Sequence, residues 1–149
     1  MRLRASSLLA VAAVAGALNG SPARADSSGW QPPDTLTGLV GSYTRPPFGG
    51  GPIAFVTLGG ADGYRAQGPY SRFAEVGGGR LDLQSGTYSA IANNPAVGAF
   101  LLFDDAQGNF RDAFPIIGIR RDPLGRKIVA IELLEAYGGK TFVLTRVGL

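Results

Sequence analysis

Few residues of this chain could carry out catalysis. The sequence contains no histidine and no cysteine, so it lacks the commonest general base, the thiol nucleophile and the usual zinc ligands. Serines such as Ser42, Ser71 and Ser89 have no histidine to activate them. Lys127 and Lys140 could assist a serine, but neither lies in a recognisable nucleophile motif. We therefore expect a protein that is not an enzyme and that needs no cofactor.

Residues with side-chain oxygens cluster at one point of the chain, where they could form either a calcium site or a hairpin turn. The oxygen-bearing residues there are Asp104, Asp105, Gln107, Asn109 and Asp112. Calcium prefers such ligands, but this spacing matches no loop in which alternate positions converge on an ion. Asp, Asn and Gly are also the ordinary residues of β-turns. We therefore predict a solvated turn and no metal site.

A pair of acids for glycoside hydrolysis could be drawn from Glu75, Asp82, Glu132 and Glu135. Asp82 and Glu132 fall on the polar side of alternating segments, so we expect both to face solvent. Glycosidases hold two carboxyl groups at a defined separation, and no second acid of known geometry accompanies either residue. This alternative is therefore the weaker one.

The first 25 residues are typical of a secretory signal peptide. Arg2 and Arg4 form a positive start, residues 8–18 are apolar, and Ala23-Arg24-Ala25 fits the small-x-small cleavage rule. The apolar run ends at residues 19–22, too short to cross a bilayer. We predict an exported protein, periplasmic or secreted, with no membrane span after cleavage of the signal.

Cleavage also changes the charge of the chain, which carries 14 basic and 11 acidic residues in full. Arg2, Arg4 and Arg24 leave with the signal and every acidic residue lies beyond it, so 11 basic residues remain against 11 acidic ones. A neutral mature domain lacks the basic surplus of a nucleic-acid-binding protein. We therefore expect no nucleic-acid partner.

Short apolar segments alternate with glycine-rich turns along the mature chain. The segments expected to be strands are 39–45, 53–58, 64–68, 71–76, 80–84, 87–91, 99–103, 109–119, 128–134 and 142–146. This pattern predicts eight or nine strands, at a spacing typical of an antiparallel sandwich or barrel. Because a barrel has no open sheet edge, it is favoured for an exported monomer.

We therefore predict an all-β, antiparallel up-and-down barrel of about eight strands over residues 39–149, preceded by a flexible leader at 26–38. Asp62-Gly63 and Ser85-Gly86 are predicted turns, and Pro115 indicates a bulge or a free edge. Residues 132–137 would also suit one helical turn.

The segment Leu39-Val40-Gly41-Ser42-Tyr43 resembles the opening strand of small lipocalin-like (calycin-type) barrels, which begins Leu-x-Gly-x-Trp, with tyrosine here in place of tryptophan. The resemblance implies that this aromatic residue closes the barrel floor and that an arginine of the last strand packs across it. Arg146 lies at the corresponding position, and Phe142, Leu144 and Arg146 share a face. Stacking on Tyr43 would explain an arginine on a core face. A smaller avidin-like barrel, including the type that inhibits proteases in the periplasm, fits the length as well.

Aromatic residues spread over the strands could line a cavity or fill it, as side chains do in other small barrels. We predict a non-enzymatic binding protein for a small apolar ligand. Its predicted ligand-binding residues are Tyr43, Phe55, Tyr64, Tyr88, Phe142 and Arg146. The alternative is a protein-interaction module, such as a protease inhibitor, that uses its loop tips or the leader around Trp30.

Overall fold

The computed structural model describes residues 29–47, 49–61, 65–135 and 139–148. Within those ranges the chain forms strands and no helix, and it therefore has no helix there long and apolar enough to span a membrane. The strands are β1 (Gly41–Thr44), β2 (Ile53–Leu58), β3 (Arg65–Glu75), β4 (Leu81–Ile91), β5 (Phe100–Asp105), β6 (Phe110–Arg121), β7 (Ile128–Leu134) and β8 (Thr141–Val147). The predicted all-β class is confirmed.

The eight strands form one closed barrel. Each strand pairs antiparallel with the next one along the chain, and β8 pairs back with β1. This confirms the predicted up-and-down barrel. At the seam between β1 and β8, Tyr43 lies directly opposite Arg146.

The alternation of β3 shows how the strands sort their side chains between the two faces. Ala66, Tyr70, Arg72 and Ala74 are buried, and the residues between them are mostly exposed. Successive side chains of a strand point to opposite faces, so the buried set lines the interior. The core that results draws residues from every strand, and also Leu36 and Leu39 from the segment before β1.

β3 and β4 each cover two segments that the sequence pattern predicts as separate strands. β3 covers both 64–68 and 71–76 apart from their end residues, and β4 covers most of 80–84 and all of 87–91. The predicted turn at Ser85-Gly86 is wrong, because both residues pair with β3 inside the ladder. Gly86 has another role: a Cβ at this position would collide with the carbonyl oxygen of Asp104 on β5.

Three further predictions concern the region of Pro115, residues 132–137 and the turn at Asp62-Gly63. The register of β6 against β7 shifts between Ile116 and Gly118, directly after Pro115. Residues 132–134 belong to β7 rather than to a helical turn. The predicted turn at Asp62-Gly63 lies outside the described residues.

The β3–β4 hairpin is longer than its neighbours. β4 pairs with β3 along its whole length, from Leu81 to Ile91, whereas β5 pairs with β4 only from Gly86 onward. Residues 81–85 of β4 therefore have a paired strand on one side only, within the described part of the chain. The tip of this hairpin projects beyond the β5–β6 turn.

The two ends of the barrel differ in what covers them. The β1–β2, β3–β4, β5–β6 and β7–β8 connections meet at one end, which we call the hairpin end. At the other, the leader end, residues 29–40 pack against the barrel: Gln31 bridges to Ile119, and Arg121 donates to the Thr37 carbonyl at 2.6 Å. The described part of the predicted flexible leader thus has defined partners.

Candidate functional site

Arg146 and Tyr43 meet at the seam of the barrel. The guanidinium carbon of Arg146 lies 5.0 Å from the centroid of the Tyr43 ring, and Nη2 donates to the tyrosine hydroxyl at 2.9 Å. Tyr43 is fully buried, and its hydroxyl donates to the Leu39 carbonyl at 2.5 Å. Tyr43 and Arg146 together cover the interior of the barrel at the leader end.

Arg146 also binds the backbone that leads into β1. Its Nε donates to the Ile128 carbonyl at 2.7 Å, Nη1 to the Val40 carbonyl at 3.0 Å and Nη2 to the Gly38 carbonyl at 2.5 Å. Gly41 makes room for this, because a Cβ there would overlap the guanidinium. With its donors used in this way, Arg146 acts as a clamp between β8, β7 and the leader.

Aromatic rings form a continuous row through the interior. The centroid distances are 4.6 Å for Tyr70–Phe103, 6.2 Å for Phe103–Phe114 and 5.4 Å for Phe114–Phe142, each pair edge to face. All four residues are buried. The row crosses from β3 to β8, so these side chains fill the barrel along its path.

Three predicted ligand-binding residues, Tyr43, Tyr88 and Phe142, belong to this buried interior. The Tyr88 hydroxyl donates to the Gly59 carbonyl at 2.7 Å, so its polar group is bonded within the protein. The three residues are at most 4 % exposed to solvent.

Phe55, another predicted ligand-binding residue, does not face the interior. Val56 lies opposite Tyr43, so the side chain of Phe55, one residue earlier, is on the outer face. There it pairs with Phe73, which is exposed. Phe55 therefore does not line the interior as predicted, because an irregularity in the β2–β3 register after Ile53 breaks the simple alternation of β2. Tyr64 lies outside the described residues.

A buried arginine that was not among the predicted site residues crosses the interior near the hairpin end. Arg72 of β3 is 3 % exposed and donates to both carboxylate oxygens of Asp112 on β6, at 2.9 and 2.7 Å. Its Nε donates to Gln84 at 2.9 Å, and its guanidinium carbon lies 4.6 Å from the Phe103 centroid. Bidentate pairing and the aromatic face together stabilise a charge that burial alone would disfavour. One signal in the sequence could have identified Arg72: it lies among the alternate residues of β3 that face the interior.

A β-bulge adds a second arginine to this region. The β5–β6 register shifts between Phe103 and Asp104, which leaves Arg111 with no direct partner on β5, and bulges redirect side chains in this way. Burial raises the pKa of Tyr70 above its usual value, and the nearby Arg72 and Arg111 charges offset only part of that effect. The Tyr70 hydroxyl therefore stays protonated at neutral pH.

The acidic residues at the β5–β6 turn are bound to the turn itself. Asp105 accepts hydrogen bonds from the backbone N–H groups of Gln107 and Asn109, at 2.9 and 2.8 Å. The bond from Asn109 is the main reason why the pKa of Asp105 lies below its usual value. No group of three or more acidic side chains in the described ranges is placed to hold a metal ion.

Asp82 and Glu132, the acids predicted to face solvent, differ from each other. Asp82 is exposed on the projecting part of β4. Glu132 is buried in the middle of β7, where the adjacent strands place Gly118 and Val143 beside it. The prediction is therefore wrong for Glu132, which is 5 % exposed.

Loss of Asp112 should destabilise the protein more than loss of Arg72. Asp112→Ala leaves a buried guanidinium without its carboxylate, which should lower the free energy of unfolding by about 3 kcal/mol. Arg72→Met replaces the buried charge with an apolar side chain and leaves Asp112, whose side chain is 36 % exposed, in contact with water, so we expect a loss below about 1 kcal/mol. Urea unfolding of both variants measures the difference, and equal losses would contradict this account.

Arg146→Ala should lower the free energy of unfolding by about 3 kcal/mol, because it removes several charged hydrogen bonds and leaves partly buried carbonyls unpaired. Arg121→Ala is the matched control: this arginine also donates to two carbonyls, those of Thr35 and Thr37, but at an exposed site. We expect about 1 kcal/mol or less there. Thermal unfolding compares the two, and an unchanged melting temperature for Arg146→Ala would refute the clamp.

No protein-family model matches this chain, and no curated protein or solved structure is significantly similar to it. The closed eight-stranded antiparallel barrel is compatible with a lipocalin-like fold.

Proposed function

We propose that this chain is an exported, non-enzymatic binding protein of lipocalin-like architecture that holds a protein partner on the outer face of its β3–β4 hairpin. This is the protein-interaction alternative of the sequence analysis. The lipocalin-like assignment draws its support from the Tyr43–Arg146 contact at the seam, and export draws its support from residues 1–25 of the sequence.

The observation that carries the proposal is an apolar patch at the hairpin end. Phe73, Leu81 and Leu83 are all exposed, and we call these three residues the hairpin patch. Phe73 lies directly opposite Leu83, and Phe55 continues the same row on β2. Single exposed apolar residues are common on protein surfaces, whereas apolar groups clustered by strand register favour an interaction site.

The backbone beside the hairpin patch supports the same proposal. Residues 81–85 of β4 have no paired strand on the β5 side within the described chain. Their backbone polar groups on that side can pair with an added strand, and such an edge is one recurrent way to bind an extended segment of another protein. Alternate side chains of that segment would lie beside Leu81 and Leu83 on the same face of the sheet.

The small apolar ligand predicted from the aromatic residues stays a prediction. The row of rings from Tyr70 to Phe142 lies in the interior in which such a ligand was predicted to bind. Trp30 stacks on Arg120 at the leader end, 4.7 Å from ring centroid to guanidinium carbon. Tryptophan fluorescence would therefore report ligand binding poorly at the hairpin end.

Leu83→Asp tests the proposal, because it places a charge in the centre of the hairpin patch without disturbing the core. Leu124→Asp is the matched control, since Leu124 is also exposed but lies in the β6–β7 connection at the other end of the barrel. Both changes should alter the free energy of unfolding by less than about 0.5 kcal/mol. We expect a periplasmic or secreted protein that is cross-linked by the wild type and by Leu124→Asp to be lost with Leu83→Asp.

Size-exclusion chromatography with light scattering completes the test. A wild-type dimer that becomes monomeric with Leu83→Asp would identify the partner as a second copy of this chain. Equal capture of the same partners by Leu83→Asp and wild type would refute the hairpin patch as the binding surface.

A further inference from the structure

The edge of β4 has a defined hydrogen-bonding pattern. At the tip of the β3–β4 hairpin the backbone N–H of Val76 donates to the Arg80 carbonyl at 3.0 Å, so Arg80 bonds towards β3. The β3–β4 register then continues without a shift along β4. Because successive residues of an antiparallel strand direct their N–H and C=O groups to opposite sides, those of Leu81, Leu83 and Ser85 point away from β3. The described chain places no strand on that side.

The side chains of this edge alternate between apolar and charged. Leu81 and Leu83 lie on the outer face, 46 % and 64 % exposed. Arg80 and Asp82 lie on the opposite face, because Asp82 pairs with the buried Ala74, and both are exposed. Neither charged side chain has an ion-pair partner among the residues that the structure describes. A cation and an anion two residues apart on one strand are complementary to the same two residues running in the opposite direction.

We propose that the hairpin patch binds a second copy of this chain, and that the two β4 edges pair antiparallel about a two-fold axis at Leu81. The inference rests on the proposed function, since it names the partner of the same surface. Arg80 of each copy lies directly opposite Asp82 of the other, which gives two equivalent ion pairs. Leu81 meets its own equivalent and exchanges two backbone hydrogen bonds with it, with Leu83 of each copy beside the pair on the outer face. Such an interface is self-complementary, as a two-fold dimer requires.

The neighbouring registers are less favourable on physical grounds. An axis at Asp82 would place the two Asp82 carboxylates directly opposite each other, and like charges in that position destabilise a sheet. An axis at Leu83 would bring Leu81 of the second copy opposite Ser85, directly beside Asp105 at the end of β5. The hairpin tip of the second copy would then collide with the β5–β6 turn. Of these three registers, only the axis at Leu81 avoids both the repulsion and the collision.

Charge reversal tests the proposed register. Arg80→Asp leaves two acidic residues on this face of each edge, and Asp82→Arg leaves two basic ones, so each variant replaces both ion pairs with repulsions. We expect the dimer dissociation constant of each variant to be at least about tenfold above that of the wild type, measured by sedimentation velocity over a range of protein concentrations. An equal mixture of the two variants restores both ion pairs and should associate as tightly as the wild type. A mixture in which both variants stay monomeric would overturn the proposal.

Arg126→Asp is the matched control. It changes the net charge by the same amount as Arg80→Asp, but Arg126 is exposed in the β6–β7 connection at the leader end. Its dimer dissociation constant should equal that of the wild type. If Arg126→Asp weakened the dimer as much as Arg80→Asp, overall charge rather than edge pairing would control association, and the proposal would be overturned.

Amide hydrogen exchange reports on the backbone pairing itself. As the protein concentration rises, exchange at Leu81 should slow, because its N–H becomes bonded to the second copy. Exchange at Asp82 should change little, because its N–H already points to β3. Exchange at Leu81 that is equally fast in dilute and concentrated protein would count against pairing of the two edges.

Failure of this inference is distinguishable from failure of the proposed function. A wild type that stays monomeric at millimolar concentration would overturn the second copy as the partner. Capture of a different protein by the wild type, lost with Leu83→Asp, would still support the hairpin patch as a binding surface.

Discussion

Closure of the barrel depends on one guanidinium at its weakest seam. β1 is only four residues long, and its ladder with β8 comprises three residue pairs. Arg146 adds charged hydrogen bonds from β8 to β7 and to the turn before β1, and Tyr43 covers it with an aromatic face. The same contacts anchor the leader segment. Arg146 therefore both closes the sheet and holds the leader over the leader end.

The interior and the outer surface of the barrel differ in their exposed apolar groups. Inside, four buried aromatic rings follow one another edge to face from β3 to β8. Within the described residues, the edge of β4 at residues 81–85 is unpaired on the β5 side, and apolar side chains lie around it.

The three arginines that point into the barrel show how a buried charge can be accommodated. Arg146 is surrounded by backbone carbonyls, and Arg72 has a carboxylate on one side and an aromatic face on the other. Arg111 lies at the β5–β6 bulge, where its charge acts on Tyr70 and on Asp105. Stability explains the first two arrangements, because each donor group finds an acceptor.

The sequence by itself determined the class and the closure. Period-two alternation and turn residues indicate antiparallel strands, and the resemblance at Tyr43 and Arg146 predicted which strands meet, because these signals are local or lie on residues of unusual type for their face. Only the tertiary structure decided that Gly86 passes beneath a neighbouring carbonyl rather than forming a turn. It also decided that Phe55 faces outward and that Arg72 finds Asp112, forty residues away along the chain. Bulges shift register by single residues, and ion pairs across a barrel join strands that are not neighbours. Neither feature leaves a periodic trace in the sequence.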